Sequence, residues 1–252
     1  MRLRRSGTLR RGGWAIETTD MEQAERIWTD VMDQHEYEAG PLGPHPVIID
    51  AGANVGVASH FFQSRYPDAI VLAFEPGPQQ FKLLERNLRR NRMDRVVPFR
   101  AALAAQTGRM PFHVVERGSW GDALVRHEWM KDVAVSTIEV PTVQLSSLLR
   151  GPIALLKLDI EGVEADVLAE AGSALRHVRR MVIEVHGSSQ NPDNTMERVA
   201  RVLHAHGFRF QIHQGDRVVS LASINRTDPH WLIVRAWRGD DPLGGKGWPG
   251  EG

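Results

Sequence analysis

Cysteine is absent from the 252 residues. That removes a thiolate nucleophile, a zinc–thiolate centre and a disulfide framework together. It says nothing of compartment, because a reducing cytosol tolerates the lack as well as the exterior does. Net charge is absent too: 31 lysines and arginines balance 31 aspartates and glutamates. A nucleic-acid binder carries a basic excess because each phosphate contact needs a cation, so the balance argues against that partner. Long apolar runs are lacking, and no segment approaches the roughly 20 residues that span a bilayer. A local excess of charge, Arg2, Arg4, Arg5, Arg10 and Arg11, opens the chain, but Gly12, Gly13 and a polar stretch through Asp20 follow it. A signal peptide would need an apolar run there. The expectation is a cytoplasmic protein with a solvated, partly mobile terminus and no membrane partner.

What is present is an alternation of short apolar runs with helical patterns. A chain of this length buries most of its apolar surface without staples, as one large α/β domain with a short extension. Residues 1–45 are expected to form an N-terminal helical extension, 46–238 the main domain and 239–252 a disordered tail. In the extension, Met21, Ala24, Ile27, Trp28, Val31 and Met32 fall on one helical stripe between Asp20 and Tyr37. The main domain begins with the unalternating run Val47–Ile48–Ile49, the pattern of a central parallel strand. A helix from Val57 to Arg65, a strand from Ile70 to Phe74, a helix from Pro78 to Arg90 and a strand from Val96 to Phe99 follow. Thr107–Pro141 departs from the alternation, with strand-like Pro111–Val115 and Val133–Val140. Strands at Ala154–Leu158 and Met181–Val185 bracket a helix at Val163–Ala171, and Gly207 caps a helix from Thr195 to His206. Phe208–His213 and Trp231–Val234 are predicted to pair as an antiparallel hairpin. Repeated strand–helix–strand units imply a doubly wound, mostly parallel sheet.

The loop after the first strand reads Asp50-Ala51-Gly52-Ala53-Asn54-Val55-Gly56. In such sheets ligands bind outside the carboxyl ends of strands, where glycines let backbone approach them. A pyrophosphate would be repelled by Asp50, whereas an ammonium-bearing ligand without phosphate suits it. S-adenosylmethionine is such a ligand. The second strand ends in Glu75, roughly 20 residues beyond the glycine loop, where an acid accepts hydrogen bonds from ribose hydroxyls. An ordinary helix-start acid is the other reading of Glu75.

These two motifs, with Ala73-Phe74-Glu75-Pro76 and Leu156-Lys157-Leu158-Asp159-Ile160-Glu161-Gly162-Val163-Glu164, resemble the FkbM-type methyltransferase family. Glu36-Tyr37, Gly118-Ser119-Trp120-Gly121 and Ile183-Glu184-Val185-His186 extend the resemblance over Tyr37–Phe208. It implies a class I, Rossmann-like methyltransferase fold, S-adenosylmethionine as donor, and O-methylation in natural-product or polysaccharide assembly. Where the family commonly has a threonine-leucine-aspartate run, this chain reads Val143-Gln144-Leu145-Ser146.

By position, the resemblance assigns Asp50, Gly52, Asn54 and Gly56 to the methionine half of the donor, Glu75 with Pro76 to the ribose, and Ala101 with Ala102 to the adenine. Tyr37 and Trp120 would close over it, with a core role open for Tyr37. An acceptor hydroxyl must lose a proton during attack, so a base is expected at the ends of strands four and five. His186 is the first candidate, because histidine titrates near working pH, and a hydrogen-bonded structural histidine is the alternative. Asp159 would orient it, bind the donor ammonium or position the acceptor, with Glu161 a further candidate. Glu164 reads as a solvated face and Lys157 as a buried cation partnered by Glu184. Asp159, Glu161 and Glu184 are oxygen ligands of the kind magnesium prefers, but no spacing demands a metal and none is expected. The expected partner is a small-molecule acceptor, engaged by a monomer or homodimer. Methylation of nitrogen or carboxylate, and an NAD-dependent oxidoreductase, are the alternatives. His113, Arg126, His127 and Trp129 lie in the stretch expected to meet the acceptor.

Overall fold

The computed structural model describes residues 6–115, 122–125, 130, 134–189, 191–215, 217–226 and 230–241. Five parallel strands form its centre: β3 (Val47–Ala51), β4 (Ile70–Phe74), β5 (Val96–Phe99), β9 (Ile153–Leu158) and β10 (Val178–Gly187). Antiparallel β13 (His230–Arg238), β11 (Phe208–Gln214) and β12 (Arg217–Val219) extend the sheet past β10. The predicted pairing of the two C-terminal strands is present, with Gln211 opposite Arg235, and β12 adds a short edge.

Successive residues of each strand feed opposite faces. Ile49, Leu156, Ile183 and Val234 pack under α4 (Glu164–Ala171) and α5 (Met196–Ala205). Ile48, Leu155, Val182 and Ile233 pack under α1 (Met21–Trp28), α2 (Val57–Arg65) and α3 (Pro78–Arg90). A sheet with both faces covered needs apolar residues at consecutive positions, which is why its strands read as unbroken runs. Strand order reverses at β3, which has β4 on one side and β9 on the other. Open α/β sheets bind ligands in the crevice at such a reversal.

The N-terminal segment differs from the expected solvated coil. Gly7–Arg11 and Trp14–Thr18 form a hairpin, β1 and β2, turning at Gly12 and Gly13 with φ of 57° and 85°. Paired positive φ values are what a two-residue turn of this twist requires. Two asparagines of α3 complete it: Asn87 and Asn91 accept from the Glu17 and Ala15 amides at 2.7 and 3.0 Å and donate back to their carbonyls. The stripe predicted from Asp20 to Tyr37 is regular only to Trp28. It then widens into a π-helical turn, Thr29–Asp33, and Tyr37 lies beyond it. Asp20 caps α1, accepting from the Gln23 amide at 3.1 Å.

The departure from alternation is a second sheet, β6 (Ala102–Ala104), β8 (Val135–Gln144) and β7 (Gly108–Val115) in that order. After it, where the acid of the family run is missing, Glu170 of α4 accepts from the amide and hydroxyl of Ser146. At the other end, the tail expected to be disordered from Gly239 stays docked through Asp241. That carboxylate pairs with the fully buried Arg180, Nε to Oδ2 2.8 Å. Residues 242–252 lie outside the described residues. No helix among the described residues is long and apolar enough to cross a membrane.

Candidate active site

A cleft of about 560 Å³ opens at the carboxyl ends of β3, β4, β9 and β10. Its first wall is the loop after β3. A Cβ on Gly52 would lie 1.8 Å from the carbonyl oxygen of Asp159, and Gly52 has φ +80°, so only glycine fits where the two strand ends cross. Asn54, itself at φ +49°, donates its amide to Glu75 Oε2 at 2.8 Å, and the Gly77 amide reaches Glu75 Oε1 at 2.7 Å. Glu75 thus ties two loops together, with Pro76 beside it on the cleft surface. Burial pushes its carboxyl up to about 7, against the lowering pull of those amides.

Two residues assigned to donor contact stand behind this wall. Asp50 is fully buried, accepts from Ser59 Oγ at 2.6 Å and meets Lys157 Nζ at 3.2 Å. Its carboxylate does not line the cleft, because Ser59 and Lys157 turn it into the protein. Gly56 also lies off the cleft. With φ +97° it starts α2, where a Cβ would meet Leu84 Cδ1 at 2.8 Å. Lys157 finds its main partner in Asp50, not Glu184, because the register sets it opposite Asp50 on β3 and Val182 on β10. Its ammonium also donates to the Ala51 and Gly52 carbonyls at 3.2 and 2.9 Å and stands 3.5 Å from Asp159. Burial would lower the Lys157 pKa, but Asp50 and Asp159 raise it and keep the side chain charged.

The second wall carries Asp159, Glu161, Glu184 and His186. His186 Nε2 faces Glu184 Oε1 at 3.4 Å and Glu161 Oε2 at 3.7 Å, and Nδ1 faces Glu164 Oε1 at 3.4 Å. Burial would lower its pKa, yet these carboxylates hold it well above the usual imidazole value. A ring held protonated has no lone pair to accept a proton, so this setting disfavours His186 in the base role its residue type suggested. Glu164 is not a solvated face. It is fully buried, accepts from the Ile160 and Gly162 amides at 3.2 and 3.1 Å and is held by Asn194. Glu161 does not begin α4, which starts at Glu164. It sits at φ +56° in the preceding turn. Burial pushes Glu161 up to about 7 against the pull of His186, and pushes Asp159 up to about 6, with Glu184 adding to the rise. The buried Tyr37 lines this side, its hydroxyl donating to Glu184 Oε2 at 3.4 Å and its ring under Lys157 Nζ at 5.4 Å. Asp159, Glu184 and His186 bring one ligand atom each within 4.8 Å of one another, a set that could hold a divalent cation.

Ala101 and Ala102 lie on the third wall with Phe74, Leu103 and Phe112. Trp120, Arg126, His127 and Trp129 lie outside the described residues. His113 meets Thr137 Oγ1 at 3.1 Å and is not on the cleft surface. Glu36, quoted in the resemblance without a role, lines the cleft, as do Asp30 and Asp122, which the sequence did not single out. Burial raises Glu36 to about 8, with Glu184 and Asp30 adding to it. The π-helical turn that aims Asp30 inward leaves no period in the sequence to find it by.

S-adenosylmethionine fits these walls. Acceptor-only carboxylates suit a sulfonium and an ammonium, Glu75 suits a ribose diol, and paired alanines leave space for a purine. The family description "methyltransferase FkbM domain" matches residues 50–210. The chain is 31% identical to the 31-O-demethyl-FK506 methyltransferase FkbM of Streptomyces tacrolimicus, over 78% of this chain and 86% of that one. It is 29% identical to methyltransferase sdnD of Sordaria araneosa, over 74% and 82%. Among solved structures, M. jannaschii TYW2 in complex with AdoMet superposes with a TM-score of 0.50 at 13% identity, covering 92% of this chain and 84% of that one. This last likeness is one of fold.

Proposed function

This chain belongs to the FkbM methyltransferase family, and from that premise we propose that it methylates a hydroxyl oxygen of a small molecule. It is a methyltransferase, and its donor is S-adenosylmethionine. The proposal names the acceptor atom and the residues that serve it. Oxygen is favoured by the relative named for an O-demethyl substrate and by a carboxylate poised to take a hydroxyl proton. The observation that carries the reading is Glu161 on the cleft surface, 3.7 Å from His186, with burial pushing its carboxyl up to about 7.

When bound, the donor supplies a methyl group already activated on sulfur, so the protein chiefly positions the reactants and removes one proton. Glu75 would hold the ribose hydroxyls while keeping the Asn54 amide, and Asp159, backed by Lys157, would hold the donor's ammonium. Glu161 would take the proton the acceptor oxygen loses as it bonds to the methyl carbon, the carbon–sulfur bond breaking to leave S-adenosylhomocysteine. His186, pinned by Glu164 and Glu184, holds Glu161 in reach and offsets the negative charge around it. Asp50 contributes by keeping Lys157 and the β3 loop in place.

Calorimetry with S-adenosylhomocysteine, followed by labelled-methyl transfer to panels of alcohols, amines and carboxylates, tests this. We expect micromolar or tighter binding, a roughly 10- to 100-fold loss in Glu75→Gln, as a hydrogen bond to a charged acceptor is worth, and label on alcohols. Label appearing only on amines or carboxylates would overturn the oxygen assignment. Binding of NAD in place of the homocysteine compound would overturn the donor.

A further inference from the structure

Asp122 stands on the third wall of the cleft, in the chain between β7 and β8. Its neighbour Ala123 bridges to His113 through backbone hydrogen bonds of 2.8 and 3.0 Å, which fixes this stretch to β7. One carboxylate oxygen, Oδ1, accepts from the Val115 amide at 2.8 Å. The other, Oδ2, is shielded from solvent and has no hydrogen-bond partner among the described residues. A buried acceptor without a donor costs free energy comparable to a lost hydrogen bond, and such an atom calls for a missing partner. Among the described residues no cation shifts Asp122, and the wall at this stretch is apolar, Ala102 and Phe112 packing with Leu124. Asp122 is close enough to Glu75 for the two carboxylates to repel one another.

On the reading that S-adenosylmethionine occupies this cleft, its adenosine offers two sets of donors: the ribose hydroxyls and the exocyclic amine of the purine. Glu75 takes the first set. We propose that Asp122 Oδ2 accepts a hydrogen bond from the exocyclic amine, so that Asp122 selects adenine over purines carrying a carbonyl at that position. A carbonyl there would set one lone pair against another in an apolar wall. The Val115 amide holds the carboxylate in the orientation that enforces this. Sites built around a substrate N–H discriminate strongly, because the analogue leaves a buried polar group unpaired.

The test is calorimetry of the full chain with S-adenosylhomocysteine and with S-inosylhomocysteine, whose purine carries oxygen in place of the amine. The unaltered protein is expected to prefer the adenosine compound by roughly 10- to 100-fold, the range for one hydrogen bond to a charged acceptor. Asp122→Asn, whose amide can donate to a carbonyl, is expected to narrow that gap. Asp122→Ala is expected to close it by weakening the adenosine compound, with a cooperative ligand-free melting curve showing that the variant is folded. Equal binding of both compounds by the unaltered protein, or full preference kept in Asp122→Ala, would overturn the role of Asp122 and leave the donor reading standing. Binding of neither compound would overturn both.

Discussion

Glu161 and His186 show how far a side chain's role depends on what surrounds it. Histidine is the residue whose ordinary titration suits a base, but here it lies among Glu161, Glu164 and Glu184, which pull its pKa up. On the proposed reading the proton-accepting role falls to Glu161, whose carboxyl burial pushes up to about 7. A base works only when ionised, so the rate rises as pH climbs through about 7 and is lost below it. Glu161→Gln is expected to lower kcat/KM roughly 10²- to 10⁴-fold and to flatten that ascending limb. Rate measurements from pH 5 to 9 read both effects, and an intact limb in the variant would return the role to another group. Glu75 was legible as a cleft residue because it sits at a strand end, where this kind of sheet opens its crevice. Glu164 was not legible. Its sequence position is that of a helix-start acid, and only the arrival of Asn194 and His186 from distant segments buries it.

Elements read well from the sequence where local patterns decide them. β4, α3 and β5 match their predicted limits because unbroken apolar runs, a proline at the first helical turn and an amphipathic stripe are all local. β1 and β2 were missed although Gly12-Gly13 marks their turn, because what stabilises them is non-local. The partners of β2 are asparagine side chains on α3, 70 and 76 residues further on. The loop after β3 shows the same division. Gly52 was legible as a residue of the cleft and Gly56 was not placed there, and Gly52 also answers to the Asp159 carbonyl across the strand ends. Gly52→Ala is therefore expected to do more than weaken donor binding. The Cβ would overlap backbone oxygen at a φ that side chains rarely adopt, so the strand ends must part. Circular dichroism should show a lowered melting temperature together with lost S-adenosylhomocysteine binding. A variant with native stability and affinity would contradict this account.

The described fold is closed at its end by one ion pair. Arg180, fully buried on β10, is met by Asp241 after the last strand and donates to the Ala39 carbonyl from the N-terminal extension. Removing one partner of such a pair leaves an uncompensated buried charge, at about 3–5 kcal/mol. Ending the chain after Arg238 is expected to lower unfolding free energy by that amount in urea titration, although no active-site residue is touched. A loss below 1 kcal/mol would show the pair to be dispensable. The alternation of apolar runs, the glycine bend and the strand-end acids were enough to establish a doubly wound domain and its donor, because these are short-range patterns tied to backbone geometry. The inward turn of Asp50, the raised pKa of His186, the partner of Lys157 and the place of Asp122 were decided by the folded arrangement. Each depends on which groups from remote segments come within a few ångströms, and ionisation and hydrogen bonding respond to that distance.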